Sequence, residues 1–242
     1  MNPTTEHPIH PRSDTELVDN LEVILSTVRH QLGNSVNAIK VTLDVLKQNF
    51  DQFNDGKKKD YLDRGSHLLA RQQVLIEAMK SYSSFDVREQ ADIGVIPFWE
   101  HVSMLAKGRL EGTGISLSLK SDLRPCFIKG SMMALDKIIS CILENAVDAL
   151  EETGQPVIEI EAVTSENCLA VDVRDNGRGI SHGDLPRIRV PLFTNKPNRA
   201  GMGLSIAHKL LARMNGQMLI ESVPGEGTCV RITLAAKRQE RI

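Results

Sequence analysis

Two groups of residues in this chain could do chemistry together. One is a histidine in the run Val28-Arg29-His30-Gln31-Leu32-Gly33-Asn34-Ser35-Val36. The other is a series further downstream, in the order Glu144-Asn145-Ala146, Asp175-Asn176-Gly177-Arg178-Gly179, Phe193-Thr194-Asn195-Lys196 and Gly201-Met202-Gly203-Leu204. A neutral imidazole is unprotonated at cell pH and attacks a phosphoryl group readily. Alternating glycines let a backbone approach a flat ring without a Cβ in the way. The Gly201 to Leu204 run opens a helix, where free N–H groups favour phosphate. Taken in order, these pieces imply a nucleotide site that serves a histidine. It is not a P-loop site, because GxxxxGK[ST] does not occur.

The elements that must position these groups fall into two regions. From Asp14 to about Ser84 the pattern is helical: Leu17, Leu21, Ile24, Val28, Leu32, Val36, Ile39, Leu43, Leu46 and Phe50 recur at steps of three or four, close to a heptad seam. His30 lies two residues from both Val28 and Leu32, so it is expected opposite that seam, facing solvent. A polar break at residues 51–59, containing Gly56, precedes a second helical pattern from about Asp60, with Leu62, Leu69 and Ile76 spaced at seven. Two helices with a short break predict an antiparallel hairpin, and a lone hairpin cannot close a core, so a homodimer is expected. From about Val87 the pattern is mixed. Strands are predicted at 115–119, 157–162, 169–173, 217–221 and 229–234, and helices at 134–150 and 202–214. The mixture suggests an α/β sandwich with helices on one face of the sheet.

Composition narrows the classes. The chain has 242 residues, 41% of them apolar, and a net charge of −2. That gives no electrostatic case for nucleic acid or an anionic membrane. No apolar run is long enough to span a bilayer, and residues 1–12 lack a signal-peptide core. Cys126, Cys141, Cys168 and Cys229 are scattered, without a CxxC pair, and read as reduced thiols in a cytoplasmic protein. His7, His10, His67, His101, His182 and His208 form no metal-ligand pattern.

The ordered motifs resemble those of two-component sensor histidine kinases, from about Asp14 to the end. The resemblance implies an α+β chain: a flexible tail at 1–13, a helical hairpin at 14–86 that dimerises into a four-helix bundle, and an ATP-binding catalytic domain at 87–242. It implies that His30 accepts the γ-phosphoryl group of ATP and passes it to an aspartate on the receiver domain of a response regulator. Asn145 would ligate Mg²⁺ bridging the phosphates, as suits a cation that takes a few oxygen ligands and keeps its waters. Asp175 would accept a hydrogen bond from the adenine amino group. Gly177, Gly179, Gly201, Gly203 and Leu204 would line the nucleotide, with Thr228 on a third glycine turn. Phe193 would anchor a lid from which Lys196 or Arg199 reaches phosphate. Asn34 matches the family position that orients water against a phosphorylated regulator.

Two positions depart from the pattern. Gln31 stands where the family usually has an acidic residue that orients the histidine, and an amide is no base near neutral pH. Cys141 stands where gyrase- and MutL-like relatives place a water-activating glutamate, so transfer to a protein histidine is expected over hydrolysis. The segment before His30 is too short for a sensor domain, so input is expected from a partner in trans. The alternatives are a phosphotransfer adaptor, or a net phosphatase with weak or absent autokinase activity.

Overall fold

The computed structural model describes residues 14–84, 90–194 and 201–238. The predicted tail at 1–13 lies outside them, as does most of the junction between the expected hairpin and catalytic domain. The chain divides into two compact units, 1–73 and 74–242. Among the described residues no helix is long and apolar enough to cross a membrane.

Two long helices open the chain, α1 (Asp14–Gln48) and α2 (Asp55–Ser84). The break is shorter than the sequence predicts, and Gly56 lies inside α2. Asn54 explains this: its Oδ1 accepts the Lys57 N–H at 2.8 Å, capping the helix three residues on. A glycine in a first turn costs little against such a cap. The chain folds back at the turn, where Lys58 sits over the Phe50 ring at 4.6 Å and Phe53 stacks on Tyr61 at 5.4 Å. The predicted single seam of α1 is two rows. Leu32, Ile39 and Leu46, spaced at seven, are buried or half-buried. Val36, Leu43 and Phe50, also spaced at seven, are 58%, 49% and 50% exposed.

The second unit carries a seven-stranded sheet in the order β1-β3-β7-β5-β4-β2, with β6 also paired to β7. The predicted strands are β2 (Ser116–Asp122), β4 (Val157–Thr164), β5 (Cys168–Asp175), β6 (Gln217–Val223) and β7 (Gly227–Arg238). The predicted helices are α4 (Met132–Ala149) and α5 (Gly203–Arg213). Three elements were not predicted: β1 (Ala91–Gly94), α3 (Val95–Leu110) and β3 (Cys126–Gly130). β1 and β3 are too short for a clear alternation. Pro97 reads as a helix breaker, yet it lies in the first turn of α3, where its missing N–H has no intrahelical acceptor to lose. Behind it Phe98, Val102 and Ala106 form a buried stripe.

Alternate side chains decide the layers. Ile158, Ile160 and Ala162 of β4, Leu169, Val171 and Val173 of β5, and Ile232 and Leu234 of β7 are buried. They share the core with Leu135, Ile138, Ile139 and Ile142 of α4 and Leu210 and Leu211 of α5. His101 Nε2 lies 2.7 Å from Asp136 Oδ1, and Arg109 Nη1 lies 2.7 Å from Glu144 Oε1. The two contacts are eight residues apart on both helices, so α3 and α4 run parallel at matched pitch.

Asp172 sits in β5 opposite Glu161 of β4 and Arg231 of β7. It accepts two 2.7 Å hydrogen bonds from Arg231 and contacts Arg174, which reaches Glu161 at 3.1 Å. Its side chain is only 6% exposed. The Arg231 hydrogen bonds hold its carboxyl below the usual carboxylate range, against the opposing effect of burial. A carboxyl depressed in the folded state contributes stability above its unfolded pKa and loses it as pH falls through the folded value. Asp172→Asn should therefore cost about 1–3 kcal/mol at neutral pH. Thermal unfolding against pH should show the deficit shrinking toward acid; a deficit that stays constant would exclude this origin.

Candidate functional site

α4, the loop after β5, and the start of α5 enclose a cavity of about 570 Å³, within the range of small-molecule sites. The last turn of α4 and the loop after β5 are joined by backbone. Ala149 C=O accepts the Arg178 N–H at 3.1 Å, and Arg178 C=O in turn accepts the Gly225 N–H at 2.8 Å. Asp175 folds the loop locally by accepting the Gly177 N–H on its Oδ1 at 2.9 Å. Asn176 holds the other side, accepting from Val157 N–H and donating to Gln155 C=O, both at 2.8 Å.

The structure brings most of the sequence-predicted residues to this cavity. Asn145, Asp175, Gly179, Phe193, Gly201, Gly203, Leu204 and Thr228 all line it. Gly177 does not line it. A Cβ on Gly177 would lie 2.5 Å from Ala149 O, so this glycine is required by the approach of two stretches of backbone. Gly179, at φ +66°, would drive a Cβ into Val223 O. Both glycines are thus required by the close approach of the chain's own backbone. Gly203 differs: a Cβ there would meet Asn145 Nδ2 and Cys141 Cβ at 3.8 Å and Cys141 Sγ at 3.9 Å, all ordinary contacts. It is the glycine whose missing side chain leaves room in the cavity. Gly203 also begins α5, whose first N–H groups have no intrahelical acceptor.

Asn145 Nδ2 is buried without a hydrogen-bond partner among the described residues. A half-turn of the amide would offer the oxygen instead, and that oxygen suits a hard cation. No three His, Cys, Asp or Glu side chains cluster to hold a metal among the described residues. A cation here would share its coordination among Asn145, phosphate oxygens and water, which fits Mg²⁺. Glu144 is ion-paired with Arg109, so its charge is largely answered.

The ends of the expected lid meet, with Leu192 N–H donating to Gly201 C=O at 2.9 Å. Arg187 lies over the Phe193 ring at 4.5 Å, an anchor the motif did not reveal. Lys196 and Arg199 lie outside the described residues. Ser222 was also missed. Its Oγ accepts from Ile180 N–H, donates to Gly227 C=O, and lies 2.9 Å from Thr228 Oγ1, stitching the loop to the β6–β7 turn. A lone serine in a strand gives no sequence signal of such a role. The cysteines are free, and burial pushes the thiols of Cys126, Cys168 and Cys229 upward, toward low reactivity.

His30 is exposed on α1, and Asn34 Nδ2 lies 3.2 Å from its Nδ1. Gln31 is on the same helix, its side chain outside the described residues.

Residues 130–238 match the family of histidine kinase-, DNA gyrase B-, and HSP90-like ATPases. These residues carry an ATPase domain of the kind shared by histidine kinases, DNA gyrase B and HSP90. Sporulation kinase E of Bacillus subtilis is 23% identical over 91% of this chain, which spans 30% of that protein. Sensor histidine kinase GraS of Staphylococcus haemolyticus is 27% identical over 94% of this chain and 67% of its own length. The fold is shared with histidine kinase ThkA in its complex with response regulator TrrA, at a TM-score of 0.65 and 18% identity, over 92% of this chain and 65% of that one. The isolated ThkA catalytic domain aligns over 61% of this chain, and 97% of its own, with a TM-score of 0.54 and 20% identity.

The two kinds of glycine should separate on mutation. Gly177→Ala should lower the thermal midpoint by several degrees, because backbone must shift. Gly203→Ala should leave the midpoint within about a degree or two but weaken nucleotide binding in calorimetry by about tenfold. Equal effects of the two on stability would contradict the distinction.

Proposed function

We propose that the chain is a dimeric protein-histidine kinase that transfers the γ-phosphoryl group of ATP to His30 and from there to an aspartate on a response regulator. One observation carries the reading: on an ATPase fold that histidine kinases share, one cavity gathers Asn145, Asp175 and the N-terminus of α5. In this reading 87–242 binds ATP and 14–86 presents the acceptor. Asp175 receives the adenine amino group, and Thr228, Phe193 and Leu204 flank the base and ribose. Gly203 and the first amides of α5 hold phosphate oxygens. Bound Mg²⁺ would supply charge neutralisation along the phosphates, on Asn145. Catalysis is then mostly positioning and electrostatics. Cys141, buried beside Asn145, offers no base for water, which favours transfer over hydrolysis.

At the acceptor, Asn34 supplies part of what Gln31 lacks. Asn34 Nδ2 faces His30 Nδ1 at 3.2 Å, and a half-turn of the amide would instead accept from Nδ1–H and leave the Nε2 lone pair free for attack. The exposed rows Val36, Leu43, Phe50 and Leu62, Leu69, Ile76, each spaced at seven, support pairing of two hairpins into a four-helix bundle. The receiver-domain partner is proposed from the ThkA complex with its regulator. The work belongs to the cytoplasm, since it consumes ATP.

The same Asn34 supports a second reading, a net phosphatase in which its amide orients water against a phosphorylated regulator. Incubation with γ-labelled ATP and Mg²⁺ separates the two. Acid-labile label on the wild type, lost in His30→Ala and in Asn145→Ala, is the expected result. ATP binding without label would overturn the autokinase reading, and loss of regulator dephosphorylation in Asn34→Ala would then establish the phosphatase.

A further inference from the structure

We propose that Arg187 is a positioning residue of the nucleotide cavity, acting through the Phe193 ring to set how firmly ATP is held. The inference rests on the nucleotide reading of the cavity. Asp184, Ile188 and Phe193 border the cavity, and Arg187 does not. Whatever Arg187 gives the site must therefore pass through a neighbour.

The backbone around Phe193 is fixed. Arg187 N–H donates to Asp184 C=O at 2.7 Å, Val190 N–H to Arg187 C=O at 2.9 Å, and Phe193 N–H to Val190 C=O at 3.2 Å. These successive turns carry the chain from Arg187 to Phe193. Leu192 then takes φ +67°, a conformation unfavourable for a leucine, and its side chain is 1% exposed. Burial of that side chain and its N–H bond to Gly201 C=O hold it there. On the far side Gly201 lies so close that a Cβ would run into the Phe193 carbonyl.

The ring has less support than the backbone beneath it. Phe193 is only half-buried, so core packing does not settle where its ring points. Arg187 does: its guanidinium carbon lies 4.5 Å from the ring centroid. A cation over an aromatic face is drawn by the ring's quadrupole, and a planar guanidinium lies flat against it. Asp184, one turn earlier, accepts the Ser181 hydroxyl at 2.9 Å. The arginine thus holds a ring at the root of the expected lid, where the ring meets the cavity.

A double-mutant cycle tests this, with Mg·ATP titrated calorimetrically into the wild type, Arg187→Met, Phe193→Leu and the double variant. Arg187→Met should weaken ATP about threefold, with an unfolding midpoint within about a degree of the wild type. Arg187→Lys should keep part of the affinity, because a cation remains over the ring. In the Phe193→Leu background, Arg187→Met should cost nothing further. An equal loss in that background would overturn the assignment and make Arg187 a charge acting on the phosphates at a distance. No loss in Arg187→Met alone would overturn it as well, while leaving the site a nucleotide site. A wild type that does not bind ATP would overturn the underlying reading and the assignment with it.

Discussion

The carbonyl of Ala149 is the point on which the site is built. It accepts the Arg178 N–H and lies against Gly177, so the loop after β5 is fixed to the end of α4. Arg178 then passes the connection to Gly225 in the β6–β7 turn. A side chain at 177 would prise loop from helix and take Asp175 away from the row that carries Asn145. The core beneath serves this contact. Parallel α3 and α4, locked by His101 with Asp136 and Arg109 with Glu144, bring the end of α4 to one fixed height against β5.

Much of this was legible in residue order. The alternation in β4 and β5 and the apolar periodicity of α4 and α5 gave their elements directly, because each buries one face and exposes another. The motifs placed Asn145, Asp175, Gly201 and Gly203 at one site, and they line one cavity. What failed was local competition between signals. Pro97 hid α3 because its effect depends on position within the turn, and the Asn54 cap outweighed Gly56 at the start of α2. Nothing in the sequence marked Ser222 or the Arg109–Glu144 pair, since each acquires its role only from residues distant in the chain.

The first unit follows a different economy. Its apolar residues were correctly recognised, yet the single seam read from them divides into two rows a few residues out of phase. One row closes on the hairpin itself. The other stays exposed among the described residues, so a hairpin of this sequence is an unfinished core. The charge ladder around Asp172 makes the opposite choice on the β-sheet, where Glu161, Arg174 and Arg231 finish a surface with ion pairs rather than leave it apolar.

The glycines of the motif answer to two masters. Gly177 and Gly179 are held by the chain's own backbone, and Gly203, in the proposed site, by the room a ligand would need. A descendant that gave up its nucleotide but kept its fold would retain the first two and be free to replace the third. Drift at position 203, with 177 and 179 intact, would thus be the earliest written trace of a kinase turning into a scaffold.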